Sequence, residues 1–275
     1  MADPARLSFH MATTLPQWNF AQAVEGAARH GIRAVGVWRE HLQRHGIAAA
    51  ARLLRDAGVV ASGLSFAGLV ASPDAGERAA ALEDSRRALD EAAAIGAPCV
   101  VFLAGPVDPR DKSLAATRAR ALESVAALVP HARASGVKLA LEPLHPMACA
   151  TRTVLSDLTT ANDWCDALAA DDAVGIAVDS YALWWDPRLA AEMARAGRRI
   201  AACHVNDWLV ETTDLRLDRG MMGDGVIDLP GFRAMVDAAG YDGFIEVEIL
   251  SARDWWRRDP DEVVRVVKER FLTAV

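Results

Sequence analysis

The stretch "KLALEPL", residues 138–144, is a short apolar run of β character that ends in a glutamate and is stopped at once by a proline. The pattern returns three times downstream. "VGIAVDS" (174–180) ends near Asp179, "IAACHVND" (200–207) carries His204, and "GFIEVEIL" (243–250) carries Glu248. Four similar runs without the acidic ends come earlier: "LSFHMAT" (7–13), "AVGVW" (34–38), "VVASGLS" (59–65) and "CVVFLAG" (99–105). Helical stretches rich in Ala, Arg and Leu fall around 20–30, 46–57, 76–95, 113–135, 158–169, 187–197, 230–239 and 260–272. Most close on a glycine, as in "AAGY" or "RASG", that can take a left-handed C-cap. Regular alternation of this kind predicts parallel strands joined by helical crossovers. Eight such units in 275 residues fit a single (β/α)8 TIM barrel domain over 1–275 better than an open doubly wound sheet. No GxGxxG follows the first strand, which counts further against a dinucleotide fold.

Composition narrows the function. A net charge of -7 and no clustered basic footprint argue against a nucleic-acid partner. No run approaches the roughly 18 apolar residues of a membrane span, and "MADPARLSFHMATT" lacks the pattern of a secretory leader, so a cytoplasmic protein without membrane contact is expected. Cys99, Cys149, Cys165 and Cys203 show no CxxC spacing and lie in or beside apolar runs, where they read as reduced small hydrophobes.

Active sites of such barrels lie at the C-terminal ends of the strands. Strands 5 to 8 each deliver one ligand-type residue there: Glu142, Asp179, His204 and Glu248, spaced by 37, 25 and 44 residues, about one βα unit each. Residues two back share the inward direction. They are Ala140, Ala177, Ala202 and Glu246, so three small residues leave room into which Glu246 can project. The alternate positions Leu141, Val178, Val205 and Val247 are apolar and face the helices. Three carboxylates and one imidazole form a hard set that suits Mn²⁺ first, with Mg²⁺, Co²⁺ and Zn²⁺ also compatible. The competing reading is a group of solvated loop acids with a core histidine.

A divalent ion reached by sugar oxygens would polarise a carbonyl and its neighbouring hydroxyl, and the chemistry then needs an acid and a base. Glu142 and Glu248 come from non-neighbouring strands and can address opposite faces of a substrate carbon. His145, held between Pro143 and Pro146, is the other candidate base; alternatively it is a loop histidine bonded to a backbone carbonyl. His10 on the first strand is placed to reach a substrate hydroxyl. Trp38, Phe66, Trp184, Trp185, Trp208, Trp255 and Trp256 fall mostly on strand ends or loops, suited either to stacking on a sugar or aromatic aglycone or to a subunit interface. A homo-oligomer is therefore expected, a hetero-oligomer being the alternative. The 208–229 segment after strand 7 is the longest without helical pattern, and a loop of that length carries function or moves. Its Arg216 and Arg219 either hold a substrate anion or pair with the charges of "DLRLDRG" itself.

The series "LALEPLHP", "VDSYALWWDP", "CHVNDW", "MGDGVIDL" and "YDGFIEVEI" resembles the sugar phosphate isomerase/epimerase family of the xylose isomerase-like barrel superfamily, over nearly the whole chain. The resemblance implies a metal on Glu142, Asp179, His204 and Glu248, with the two glutamates as acid/base pair, as in ketose 3-epimerases. Two positions depart from the pattern. Ala182 stands where relatives often carry a histidine, and Val210 where ketose epimerases carry an arginine. The superfamily also holds inosose dehydratases and subunits of C-glycoside-cleaving enzymes, as well as DNA-repair endonucleases, which need a larger zinc ligand set and a basic groove not visible here.

The leading expectation is a metal-dependent isomerase or epimerase of a sugar, keto-sugar or polyol, working through an enediolate. A lyase or dehydratase using the same site with His145 as base is the second, and a partner-dependent or silent subunit the third.

Overall fold

The computed structural model describes residues 2–275. Eight parallel strands close a barrel: β1 (Leu7–His10), β2 (Ala34–Trp38), β3 (Val60–Gly68), β4 (Cys99–Leu103), β5 (Lys138–Leu141), β6 (Val174–Asp179), β7 (Ile200–Val205) and β10 (Ile245–Val247). Each strand pairs with its sequence neighbours, and β10 pairs with β1 to complete the ring. Two short strands, β8 (Asp207–Trp208) and β9 (Arg219–Gly220), form an antiparallel ladder inside the long segment after β7.

Eight helices, Phe20–Arg29, Ile47–Ala57, Ala75–Ile95, Leu114–Ser135, Leu158–Leu168, Leu189–Ala196, Leu229–Ala238 and Pro260–Ala274, occupy the expected crossovers. Their ends follow local chemistry. Asn19 and Gln22 form a reciprocal capping box, and Asp74, Ser113, Asp157, Asp228 and Asp259 each accept an amide N–H of the first turn, worth about 1 kcal/mol apiece. Gly58, Gly96 and Gly136 end three helices in the left-handed region. Arg39–His45 and Ser180–Leu183 are helical as well, both starting directly at a strand end that the pattern of apolar residues does not mark as a helix start.

Burial separates two layers. Outward-facing strand residues such as Leu141, Val178, Val205 and Val247 join the helices in one large apolar core. Inside the barrel, Cys99, Val101, Ala140, Ala177 and Ala202 form a separate cluster of mostly small side chains. The Glu246 side chain enters this narrow interior, where Gly36 and Gly63 face its two carboxylate oxygens. Below it the Ser8 and Ser62 hydroxyls share a hydrogen bond of 2.7 Å.

Strands end earlier or later than their apolar runs suggest. β1 stops at His10, where a 3-10 turn over Met11–Thr14 begins, β3 continues to Gly68, and β10 covers only Ile245–Val247. Glu142 and Glu248 thus stand one residue beyond their strands. Both remain fixed by their backbones, the Glu142 N–H donating to the Phe102 carbonyl (3.0 Å) and the Glu248 N–H to the Val205 carbonyl (3.2 Å).

Replacing Gly36 tests the interior packing. A Cβ there would overlap both the Glu246 carboxylate and the His10 ring, each fully enclosed. Gly36→Ala should therefore lose about 1–3 kcal/mol of stability in denaturant unfolding. Unchanged stability would contradict the placement of Glu246 in the barrel interior.

Candidate active site

Each site residue arrives on a different element. Glu142 follows β5, where Pro143 prevents another ladder bond. Asp179 ends β6 and caps the short helix after it, its Oδ1 accepting the Tyr181 N–H at 2.9 Å. His204 lies on β7 opposite both Asp179 of β6 and Glu246 of β10. Glu248 completes the arc. All four are buried.

One oxygen each of Glu142 and Asp179 and one nitrogen of His204 lie within 4.8 Å of one another. Ligands at 2.0–2.4 Å from a common divalent ion have separations of this size, so these three residues fit a metal cage. The His204 Nδ1 is 3.1 Å from Glu142 Oε1, while its Nε2, without a hydrogen-bond partner among the described residues, faces the equally unpartnered Glu246 Oε2 at 3.8 Å. Glu248 is turned differently. Its Oε2 accepts a hydrogen bond from Arg219 Nη1 at 2.8 Å, and the same nitrogen lies 3.2 Å from Asp179 Oδ2. Asn206, two residues beyond His204, donates to Asp179 Oδ1 (3.0 Å) and to the Glu248 carbonyl (3.2 Å).

The electrostatics follow from crowding. Burial pushes Glu142, Asp179 and Glu246 above the usual carboxylate range, against the pull of His204 or Arg219. For Glu248 burial acts in the same direction, but the Arg219 guanidinium and the two imidazoles outweigh it and hold the carboxyl at about 2. Burial would lower His204, yet the Glu142 hydrogen bond and the surrounding carboxylates raise it to about 10. His10 has no such bond to an acid, and burial lowers it to about 4. Its Nδ1 accepts the Ala12 N–H and its Nε2 meets the Ser65 hydroxyl at 3.1 Å, which fixes a neutral ring with the proton on Nε2.

The long segment after β7 is built around Asp207. Its carboxylate accepts the N–H groups of Gly223, Gly225 and Ile227, and a side chain at Gly225 would collide with the Trp208 carbonyl. This gathers "MGDGVIDL" under the β8–β9 ladder, which carries Arg219 into the barrel mouth. Arg219 therefore pairs with Asp179 and Glu248 and not with acids of its own loop. Its guanidinium also lies 4.7 Å from the Tyr181 ring centre.

A cavity of about 320 Å³ opens above these groups, lined by Glu142, Asp179, Arg219 and Glu248 on one side and by Trp38, Phe66 and His145 among others. His10 is fully buried and off its wall, and so is His204. Trp185 does not line it either: its indole N–H donates to the Ala182 carbonyl, and its ring packs 5.7 Å from His145. His145 sits half-buried between Trp185 and Trp208 and bonds not to a carbonyl but to the Met147 N–H, through Nδ1 at 3.3 Å. Among the described residues no tryptophan is in the exposed range: Trp18, Trp38, Trp164 and Trp255 are buried, and Trp184, Trp185, Trp208 and Trp256 are half-buried. Ala182 lines the cavity, whereas Val210 is 78% exposed and belongs to no part of it. Asn206 and Arg152 join the site beyond the residues that the strand pattern marks. The first had a usable signal, since it follows His204 by the two-residue inward period; the second lies in irregular chain and had none.

The family profile of the xylose isomerase-like TIM barrel matches residues 24–269. The chain belongs to this family. Among solved structures, protein SMc04130 from Sinorhizobium meliloti 1021 superposes with a TM-score of 0.96 at 46% identity, covering 99% of both chains. The IolI protein with a bound zinc atom aligns at 0.86 and 19% identity over 98% of each chain. The 3-keto-D-glucoside 4-epimerase from E. coli aligns at 0.76 and 16% identity over 97% of each, and these two distant likenesses speak for the fold. No curated protein matches the chain.

The proton held by His204 gives a test of the cage. An ion that takes the imidazole must displace that proton, which the Glu142 hydrogen bond and the surrounding carboxylates hold well above the ordinary imidazole range. The apparent affinity for Mn²⁺ or Zn²⁺ should rise with pH, by about tenfold per unit for one displaced proton, between pH 6 and 9. An affinity independent of pH in calorimetry over that range would contradict displacement of a His204 proton by the ion.

Proposed function

We propose that this chain is a metal-dependent isomerase or epimerase of sugar-like substrates, moving a proton on the carbon beside a carbonyl through an enediolate. The observation that carries this reading is the convergence of Glu142 and Glu248, from strands on either side of β6 and β7, on one cavity beside the Glu142–Asp179–His204 cluster. Glu142, Asp179 and His204 hold the ion, with Glu248 as the fourth member of the set. Mn²⁺ suits the oxygen-rich donors best, and Mg²⁺, Co²⁺ or Zn²⁺ are accommodated by the same residue types. The bound ion supplies polarisation of the substrate carbonyl and adjacent hydroxyl.

The residues then divide the work. Arg219 fixes Glu248 Oε2 and keeps this carboxylate ionised at the expense of its basicity, while burial leaves Glu142 the more basic of the pair. Glu142 shares Oε1 with His204, and its Oε2 has no hydrogen-bond partner among the described residues, which leaves that oxygen for the substrate. Trp38 and Phe66 offer ring faces along the wall, 6.2 Å apart between centres. The epimerase and zinc-bearing relatives of the same fold support a small-molecule sugar and a divalent ion.

His145 bears on the lyase alternative. Its Nδ1 lone pair is taken by the Met147 N–H, which places the ring proton on Nε2. A neutral ring in that tautomer donates and has no free lone pair, so the arrangement favours the glutamate pair over His145 as base.

Loading the protein with Mn²⁺ and incubating it with keto-sugars in deuterium oxide tests the reading. Exchange of a substrate C–H without loss of water or an aglycone is the expected result, slowed about 10²–10⁴-fold in Glu248→Gln. Elimination products, or full exchange in that variant, would overturn it.

A further inference from the structure

We propose that the outer wall of the same cavity is a carboxylate subsite built on Arg152, so that the substrate joins a sugar-like head to an apolar body with an acidic end. The inference rests on the proton-transfer reading for the head alone; the subsite is argued from its own residues.

Arg152 follows the turn Pro146–Ala148 beyond β5 and lines the cavity. Its guanidinium lies 4.9 Å from the Phe66 ring centre. Among the described residues it has neither an ion pair nor a side-chain hydrogen bond, although it is half-buried. Three arginines show the contrast: Arg39 holds Asp84 and Glu91, Arg110 holds Glu77 and Asp108, and Arg195 holds three acids. Burial, with Arg216 and Arg219 nearby, depresses the Arg152 pKa from its ordinary value, while Glu142 and Glu248 act on it in the opposite sense. A desolvated cation of this kind is relieved by an incoming anion.

The wall near it is apolar. Trp38, Phe66, Val101, Leu103, Leu144 and Leu250 line the cavity, whereas Ser65, Thr151 and Tyr181 are the hydroxyl side chains there. A free hexose would leave several hydroxyls desolvated and unpaired against such a surface, a cost that an aromatic or alkyl body avoids. The planar guanidinium fork matches a carboxylate in two parallel hydrogen bonds. Arg216, which also lines the cavity and has no ion pair among the described residues, is exposed and screened by water, which argues against the denser donor set that a phosphate dianion recruits.

Calorimetry with 3-phenylpropionate, 3-phenylpropanol and phenyl phosphate tests this on wild type, Arg152→Met and Arg152→Lys. Wild type should bind the carboxylate at least tenfold tighter than the alcohol; Arg152→Met should abolish that preference, and Arg152→Lys should restore part of it. Equal binding of carboxylate and alcohol by wild type overturns the proposal, and that comparison needs no variant to fold. Tighter binding of phenyl phosphate overturns the carboxylate assignment, and equal weakening of both carboxylate and alcohol in Arg152→Met reduces Arg152 to a packing role on Phe66. Deuterium exchange is read separately: carboxylate preference without exchange counts against the proton-transfer reading alone, and exchange without the preference counts against the subsite alone.

Discussion

The contact between Arg219 and the carboxylates of Asp179 and Glu248 compensates only part of an unusual buried charge. Four carboxyl groups, Glu142, Asp179, Glu246 and Glu248, lie within the barrel mouth or just beneath it. Against them stand one fully enclosed guanidinium, that of Arg219, and the His204 imidazole, with Arg152 half-buried farther along the cavity and His10 held neutral. Such an excess of negative charge away from water has to be met by protons or by a cation. The raised carboxyls and the protonated imidazole are the proton solution. A divalent ion among Glu142, Asp179 and His204 is the other, and it leaves the two glutamates free to differ in role.

Much of the architecture serves this arrangement. The interior residues Ala140, Ala177 and Ala202 are small, so the strand ends above them can crowd acids that a fuller interior would push apart. The Asp207 carboxylate pins three amides of the glycine-rich segment, and only with that segment gathered does the β8–β9 ladder deliver Arg219. Asn206 ties Asp179 to the backbone of Glu248. Loss of any of these would loosen the site without touching a proposed ligand, which is how supporting hydrogen bonds tune a metal centre.

The barrel was legible in the chain because its strands are short apolar runs at regular intervals with capped helices between them, two local signals that agree. Glu142, Asp179 and His204 were legible for the same reason: strand ends have a known direction. Glu248 shows the limit of that logic. Register places it beside the others, but its carboxylate answers to Arg219, which reaches it through a loop whose path depends on long-range bonds to Asp207. Arg152 and His145 lie in irregular chain after β5, where no period predicts direction. The mutual packing of Trp184, Trp185 and Trp208 with Tyr181 and His145 is hidden for a related reason, since these residues come from separate irregular segments.

The metal-centred site is tested most directly by where a cation settles. An anomalous difference map from crystals grown with Mn²⁺, collected above and below the manganese edge, locates it directly. A single strong peak among Glu142, Asp179 and His204 is the predicted result. Crystals that take up manganese elsewhere, or a mouth that stays free of it at saturating concentration, would contradict the metal-centred site.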